Sequence, residues 1–412
     1  PSTVQEIRFL TSVPKGFRHN PLSLQAGTWL YWLMGRCFTQ APRTLSRARL
    51  ARDVPVVNGD EVAGLVEYSD AYLYDNDARF VFGFIRTALD RGCAAANYVE
   101  ALDSTWHDNG WTTRMRDDVT GDEFAVRSKA IINATGGFVD RTNAQNAITT
   151  PHHHAFSKGI HLIVDRITDA KRVLAFFADD GRLFFAIPMG SRTCLGTTDT
   201  RVSEPTAEVT DEDRHFVLDN INRRLNLERP ISVDDIIAER CGVRPLAVAK
   251  NSSEDVDFLQ MSRGHAIDVD AERAHISIFG GKITDCINVG EEVVKLIREL
   301  NISLPYPDYQ WFGEPDGSVR EEFFHRAKLM NLDALTGTHC TEPLSTRLWR
   351  RYGTHALALA ERVREDPAQA DILIEGTEYI RCEIDQAAHR EMIVKLEDFL
   401  RRRSKIALVM KN

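Results

Sequence analysis

The chain has no run of eighteen or more apolar residues, so no segment reads as a transmembrane helix. Its first ten residues, Pro1 to Leu10, lack the basic-then-apolar order of a secretory signal. C-x-x-C is missing, and the 7 cysteines, from Cys37 to Cys382, are odd in number and scattered. That pattern predicts reduced thiols in a cytosolic compartment rather than a disulfide framework or a zinc site. No basic excess is present: 51 Lys and Arg face 60 Asp and Glu, for a net charge of -9, which excludes a non-specific nucleic-acid binder. Internal repeats and low-complexity tracts are also absent. What remains is an ordinary globular composition, 43% hydrophobic and 27% charged, over 412 residues, enough for two or three domains.

The stretch up to Tyr74 reads as helix and loop. Within it, Gly27 to Gly35 is a short apolar run with bulky aromatics, read first as a core helix and alternatively as an apolar surface touching a membrane. Apolar residues from Asp77 to Leu89 recur at helical spacing, with Asp77 as a cap, and Gly92 ends that helix. Ala94 to Val99 reads as a short buried strand. Trp111–Met115 and Glu123–Arg127 form a hairpin about Thr120-Gly121. Ala130 to Gly137 is a strand closing on glycines, and His161–Val164 and Arg182–Pro188 are buried strands, with Asp179-Asp180-Gly181 as a turn. Val209 to Leu225 is a helix capped by Thr210. His275 to Gly281 is another strand ending in glycines, followed by a helix from Val289 to Leu300. Beyond Pro315 only helical periodicity is left, over Ser318–Met330, Ser345–Arg364 and Tyr379–Val409. The pattern predicts an α/β nucleotide-binding region over 1–311, joined to an antiparallel substrate-binding sheet, and an all-helical domain over 312–412.

Four motifs can carry chemistry. The turn Asn133-Ala134-Thr135-Gly136-Gly137 follows a strand, where ligands of open α/β sheets bind. Gly196-Thr197-Thr198-Asp199-Thr200 offers hydroxyls and amides to a flavin or pyrophosphate, or else a turn held by its own side chains. In Cys241-Gly-Val-Arg244-Pro245, the proline holds Arg244 extended, a posture suited to anion binding; Arg263 is a second cation of that kind. Gly280-Gly281-Lys282-Ile283-Thr284 joins a strand to a helix and presents free N–H groups to an anionic edge. It lacks the spacing of a phosphate-binding Walker loop. His161 opens an apolar strand, where a lone histidine is more often a core residue than a base. His152-His153-His154 reads as a loop; no second cluster accompanies it, and no metal is expected.

In this order, Tyr74–Arg79, Asn133–Gly136, Ser157–His161, Ile187-Pro188 with Gly196–Asp199, Gly242–Leu246, Ser262-Arg263, Gly280–Thr284 and Glu391–Arg403 resemble the FAD-dependent, respiratory glycerol-3-phosphate dehydrogenases. The resemblance runs from about residue 70 to the C-terminus. It implies FAD held by Ala134, Thr135 and Gly136, by Thr197, Thr198 and Asp199, and by Gly280 to Thr284, with a Val99 backbone group at the adenine. It implies Arg244 and Arg263 on the substrate phosphate and His161 or Lys282 near the C2 hydroxyl. The expected reaction is oxidation of sn-glycerol 3-phosphate to dihydroxyacetone phosphate, with hydride passed to FAD and electrons to quinone. The expected setting is the inner face of the cell membrane, held peripherally from the cytoplasm, with room for a homodimer and no role for nucleic acid.

The sequence departs from that family in three places. Thr284-Asp285-Cys286-Ile287 replaces Thr-Thr-Tyr-Arg, placing an acid where a flavin gains negative charge. Gly136-Gly137-Phe138 replaces Gly-Pro-Trp. Nothing in residues 1–70 fits the family's opening strand, G-x-G-x-x-G and helix. A fragment of a larger protein is therefore expected, since a sheet without its first strand would expose apolar edges. Two rival readings stand beside the dehydrogenase: a non-catalytic relative without a complete cofactor site, and an oxidase that uses O2.

Overall fold

The computed structural model describes residues 3–16, 20–60, 62–178, 181–250, 264–306, 315–338 and 340–410. Arg263, the Asp179-Asp180 turn and the boundary at 312 lie outside the described residues.

The N-terminal part consists of strand β1 (Val4–Pro14), helix α1 (Pro21–Met34), the short β2 (Arg43–Thr44), α2 (Arg47–Asp53) and β3 (Val62–Leu73). The helix-and-loop expectation for this region is thus corrected: two of the chain's long strands lie in it. Acids and bases inside these strands mask the alternation. Glu67 is fully buried, yet it is flanked by Arg8 at 3.2 Å, Arg172 at 2.9 Å and Arg43. A charged strand residue here marks an internal ion cluster rather than a solvent face.

Next come α3 (Asp77–Leu89), β4 (Val99–His107), β5 (Gly110–Asp117), β6 (Glu123–Ser128), β7 (Ile131–Asn133) and α4 (Val139–Gln145). Asn76, not Asp77, caps α3, its side chain accepting from the Arg79 N–H at 2.8 Å. Ala94–Tyr98 is not a strand; the strand begins at Val99. The expected hairpin is β5–β6, with Met115 opposite Phe124.

The middle contains β8 (His152–Asp165), β9 (Arg172–Phe177), β10 (Leu183–Met189), β11 (Arg192–Gly196), β12 (Thr200–Val202), α5 (Asp211–Arg224), β13 (Ala238–Ala249), β14 (His265–Asp270), β15 (His275–Gly280) and α6 (Cys286–Glu299). His152–His154 opens β8 and is not a loop. Thr210 caps α5 through a reciprocal pair with Asp213. The helical remainder is α7 (Gly317–Leu329), α8 (Leu344–Tyr352), α9 (Ala356–Glu365), α10 (Arg381–Arg390), a π-helical turn over Asp398–Arg403 and α11 (Ile406–Val409). Gly353 breaks the single helix expected over Ser345–Arg364, with φ at 52°.

The strands form three sheets. The large one runs β12-β8-β11-β10-β9-β1-β3-β2, with β13 also on β8; the others are β14-β15-β7 and β4-β5-β6. One face of the large sheet is dry. Leu10, Ile160, Leu162, Leu174, Phe176 and Leu195 meet Val217 and Ile221 of α5 there. Each such burial contributes roughly 1.5–3 kcal/mol relative to exposure. The opposite face, carrying every second residue of β8 and β13, holds the polar residues described below.

Two surfaces are unusual. Helix α1 has no charged residue and buries only Thr28, while Leu22, Leu30, Leu33 and Met34 are exposed. It is not a core helix of this chain. No helix among the described residues is long and apolar enough to cross a membrane. Strand β7 lies at an edge of its sheet, with Ile132 45% exposed.

Candidate active site

The β8–β13 ladder is the axis of the site. The register pairs His161 with Arg240, Gly159 with Gly242 and Ser157 with Arg244. Directly opposed residues on an antiparallel pair share a face, and so do residues two apart. These six therefore stand in three rows on the face away from α5. Strand β11 adds Gly196 beside His161.

Two glycines make room for the functional side chains. A Cβ on Gly159 would lie 2.3 to 2.6 Å from the Arg244 guanidinium, so that group lies directly over the Gly159 backbone. A Cβ on Gly196 would lie 2.7 Å from Cδ2 of His161 and 2.6 Å from the Ile160 carbonyl. The imidazole thus leans across Gly196 as the guanidinium leans across Gly159. Replacing Gly159 with alanine should displace only the flexible end of Arg244. We expect the melting temperature to stay within about 2 °C, while affinity for a phosphorylated ligand falls about tenfold, roughly 1.4 kcal/mol. Thermal unfolding and calorimetric titration of the same variant check both halves.

Arg244 donates from Nη2 to Thr197 Oγ1 at 3.0 Å and from Nη1 to the Thr198 carbonyl at 3.4 Å. Thr198 is buried, and its hydroxyl accepts from the Ile160 N–H at 3.1 Å. Asp199 accepts from the Ser157 hydroxyl, and its carbonyl accepts from Arg182 at 2.9 Å. The polar groups of this loop therefore hold the loop to β8 and orient Arg244, in line with the turn reading of the sequence. His161 is half-buried, and desolvation, followed by the charges of Arg240 and Arg244, lowers its pKa to about 4. The imidazole is neutral at pH 7 and can accept a proton.

A second feature adjoins this face. Strands β7 and β15 run parallel, with Asn133 opposite Ser277, so Ala134–Gly136 and Gly281–Thr284 leave the sheet at the same end. Gly280 and Gly281 have φ of 64° and 87°, which suits glycine and lets the chain turn sharply. The Gly280 N–H donates to His154 Nε2 at 3.1 Å. The His154 proton is therefore on Nδ1, which faces Asp140 at 3.1 Å, off the line of a hydrogen bond. A Cβ on Gly280 would lie 3.1 Å from the Ala247 nitrogen, so β15 ends against β13 three residues from Arg244, roughly 10 Å along the strand. Lys282, Ile283 and Thr284 are exposed, and no side chain caps the turn they begin.

Asp285, the unexpected acid, turns to the protein. It accepts from Asn288 at 2.7 Å and meets His265 Nδ1 at 2.6 Å, and these contacts hold its pKa below the usual carboxylate range. Glu292 and Asp285 together raise the pKa of His265. Val99 is not brought to these turns; it starts β4, in a separate sheet, opposite Asp117. Local spacing did not single out Arg240. Its place beside His161 depends on pairing across most of two strands.

Glycine-led turns leaving two parallel strands at one end, beside an antiparallel sheet, are the arrangement at which α/β proteins bind nucleotide cofactors. Residues 26–265, more than half of the chain, match the model of the FAD dependent oxidoreductase family, and residues 319–412 match the C-terminal domain of alpha-glycerophosphate oxidase. The chain belongs to the FAD-dependent oxidoreductase family, whose cofactor is FAD. Mitochondrial glycerol-3-phosphate dehydrogenase of Bos taurus is 30% identical over 260 residues, 61% of this chain and 35% of that protein. Aerobic glycerol-3-phosphate dehydrogenase of Staphylococcus epidermidis is 26% identical over 423 residues, 96% of this chain and 71% of that one. Among solved structures, glycerol-3-phosphate dehydrogenase from Bacillus halodurans complexed with FAD superposes with a TM-score of 0.70 at 22% identity. It covers 98% of this chain and 73% of that chain. The chain thus spans about a third of the length of the mitochondrial relatives, 35%.

FAD fits part of what is present. The Ala134–Gly136 turn is exposed at the same sheet end as Gly281–Thr284, whose uncapped turn leaves N–H groups for an anionic edge. Among the described residues, no group of His, Cys, Asp and Glu could hold a metal.

Proposed function

We propose that the protein oxidises sn-glycerol 3-phosphate to dihydroxyacetone phosphate. The observation that carries this reading is the pair of Arg244 and neutral His161 on one sheet face, each seated over a glycine. Arg244, with Arg263, holds the phosphate through a planar fork of donors. His161 or Lys282 takes the C2 hydroxyl proton. Ala134, Thr135, Gly136 and Gly280 to Thr284 hold FAD, which when bound supplies the hydride acceptor. Val99 has the adenine side, and Thr197, Thr198 and Asp199 serve mainly to orient Arg244. Quinone is the onward acceptor. Peripheral attachment at the inner membrane face is supported by the uncharged helix α1, with exposed Leu30, Leu33 and Met34. The division at about residue 312 and a homodimer belong to the same reading.

The test is anaerobic. The purified chain is loaded with FAD under argon, and sn-glycerol 3-phosphate is added. Loss of the oxidised flavin band supports the assignment; a band unchanged at millimolar substrate contradicts it. An oxidase is the second reading, favoured by the match of residues 319–412 to the alpha-glycerophosphate oxidase domain. Peroxide formed in air at the rate of substrate turnover supports the oxidase over the quinone-linked enzyme.

A further inference from the structure

Asp285 stands third in the 3₁₀ turn Ile283–Asp285 that leads into α6, and Lys282 is the residue before that turn. An acid at that position ordinarily bends back and accepts from the N–H of the residue that opens the turn. The chain does this at two other places. Asp213 accepts from the Thr210 N–H at 3.0 Å at the start of α5. Asp235, third in the 3₁₀ turn Val233–Asp235, accepts from the Ser232 N–H at 2.8 Å. Asp285 does not bend back, and no side chain caps its turn or α6.

His265, the first residue of β14, accounts for the difference. Its Nδ1 meets one Asp285 oxygen at 2.6 Å, and its Nε2 meets Glu292 of α6 at 3.0 Å. Asn288 donates to the other Asp285 oxygen at 2.7 Å. A carboxylate on each ring nitrogen calls for a proton on each, so the ring stands there as an imidazolium. Glu292 and then Asp285 raise its pKa accordingly. Among the described residues these two are the charged groups that face it, with Lys282 acting in turn on Asp285. His265 also lies against the glycine turn: a Cβ on Gly281 would be 3.3 Å from the His265 Cβ.

We propose that His265 is a positioning residue for the cofactor: by holding Asp285 aside, it keeps the N–H groups of the Gly281–Thr284 turn open to an anionic edge of FAD. This rests on the flavin role given to that turn above. Without the tether, Asp285 is free to bend back to Lys282, as Asp213 and Asp235 do at their own turns. It would then set a negative charge on the donors that FAD uses. The tether is complete while His265 is charged. It weakens as pH rises through the raised midpoint, when one ring nitrogen loses its proton. The acid that departs from the family pattern beside the flavin is thus kept harmless by the histidine across from it.

Calorimetric titration of the full chain with FAD tests this, at a pH below the His265 midpoint read by nitrogen-15 NMR. H265A should weaken FAD binding about fivefold, the worth of one helix cap. H265A/D285A should restore the affinity, because alanine cannot cap, and D285A alone should bind at least as tightly as the unaltered chain. Raising the pH through the midpoint should weaken FAD binding in the unaltered chain and not in D285A. An H265A affinity equal to that of the unaltered chain, or a loss that D285A does not rescue, overturns the inference and leaves the flavin role of the turn standing. An unaltered chain that binds no FAD removes that role, and the inference falls with it.

Discussion

Replacing Arg244 with glutamine is expected to lower kcat/KM for the phosphorylated substrate about a hundredfold or more, equivalent to roughly 2.7 kcal/mol. The expectation follows from the posture of the side chain. The guanidinium is held by Thr197 and the Thr198 carbonyl in the space that Gly159, lacking a side chain, leaves over its backbone. Lysine at the same position should recover little, because an ammonium cannot reproduce the planar fork. Steady-state kinetics of R244Q and R244K check this. A loss below threefold in both variants would remove Arg244 from the binding site.

The second large effect concerns stability. Arg79 of α3 donates from both Nη atoms to Glu391, at 3.0 and 2.9 Å, and the pair is buried. Replacing Glu391 with glutamine leaves a buried guanidinium without its counter-charge, which should cost about 3–5 kcal/mol. The pair ties α3 to the segment after α10, and Arg79 also donates to the carbonyls of Arg403 and Arg351. Losing it should loosen the helical part from the sheets. Urea unfolding measures the effect, with Glu397→Gln as a control. The Arg401–Glu397 pair is exposed on both sides and should leave the midpoint unchanged.

That ion pair also explains why some of the sequence was easy to read. Tyr74–Arg79 and Glu391–Arg403 stood out as motifs though more than 300 residues separate them, and the structure joins them through Arg79 and Glu391. Helix α5 was legible because its cap and first-turn acids are local. Strands β1 and β3 were not. Glu6, Arg8 and Glu67 look like surface residues, yet Ser69 links Glu6 and Arg8, and Glu67 is buried among arginines. A strand whose polar residues pair across the sheet loses the period-two signal. The glycine-led turn at Gly280 was visible from composition, because a positive φ demands that residue. Arg240 was invisible for the opposite reason: its neighbour His161 is set by register, and a slip of one residue would have turned it to the other face.

His161 offers the most direct measurement of whether its imidazole and Arg244 act on one ligand. In the free chain burial and the two nearby guanidinium groups keep the ring neutral until about pH 4. Phosphate on Arg244 offsets one of those charges, so the histidine midpoint in nitrogen-15 NMR should rise when sn-glycerol 3-phosphate is bound and return when it is dialysed away. An ordinary midpoint near 6.5 that ignores saturating ligand would mean that the two groups do not share a site.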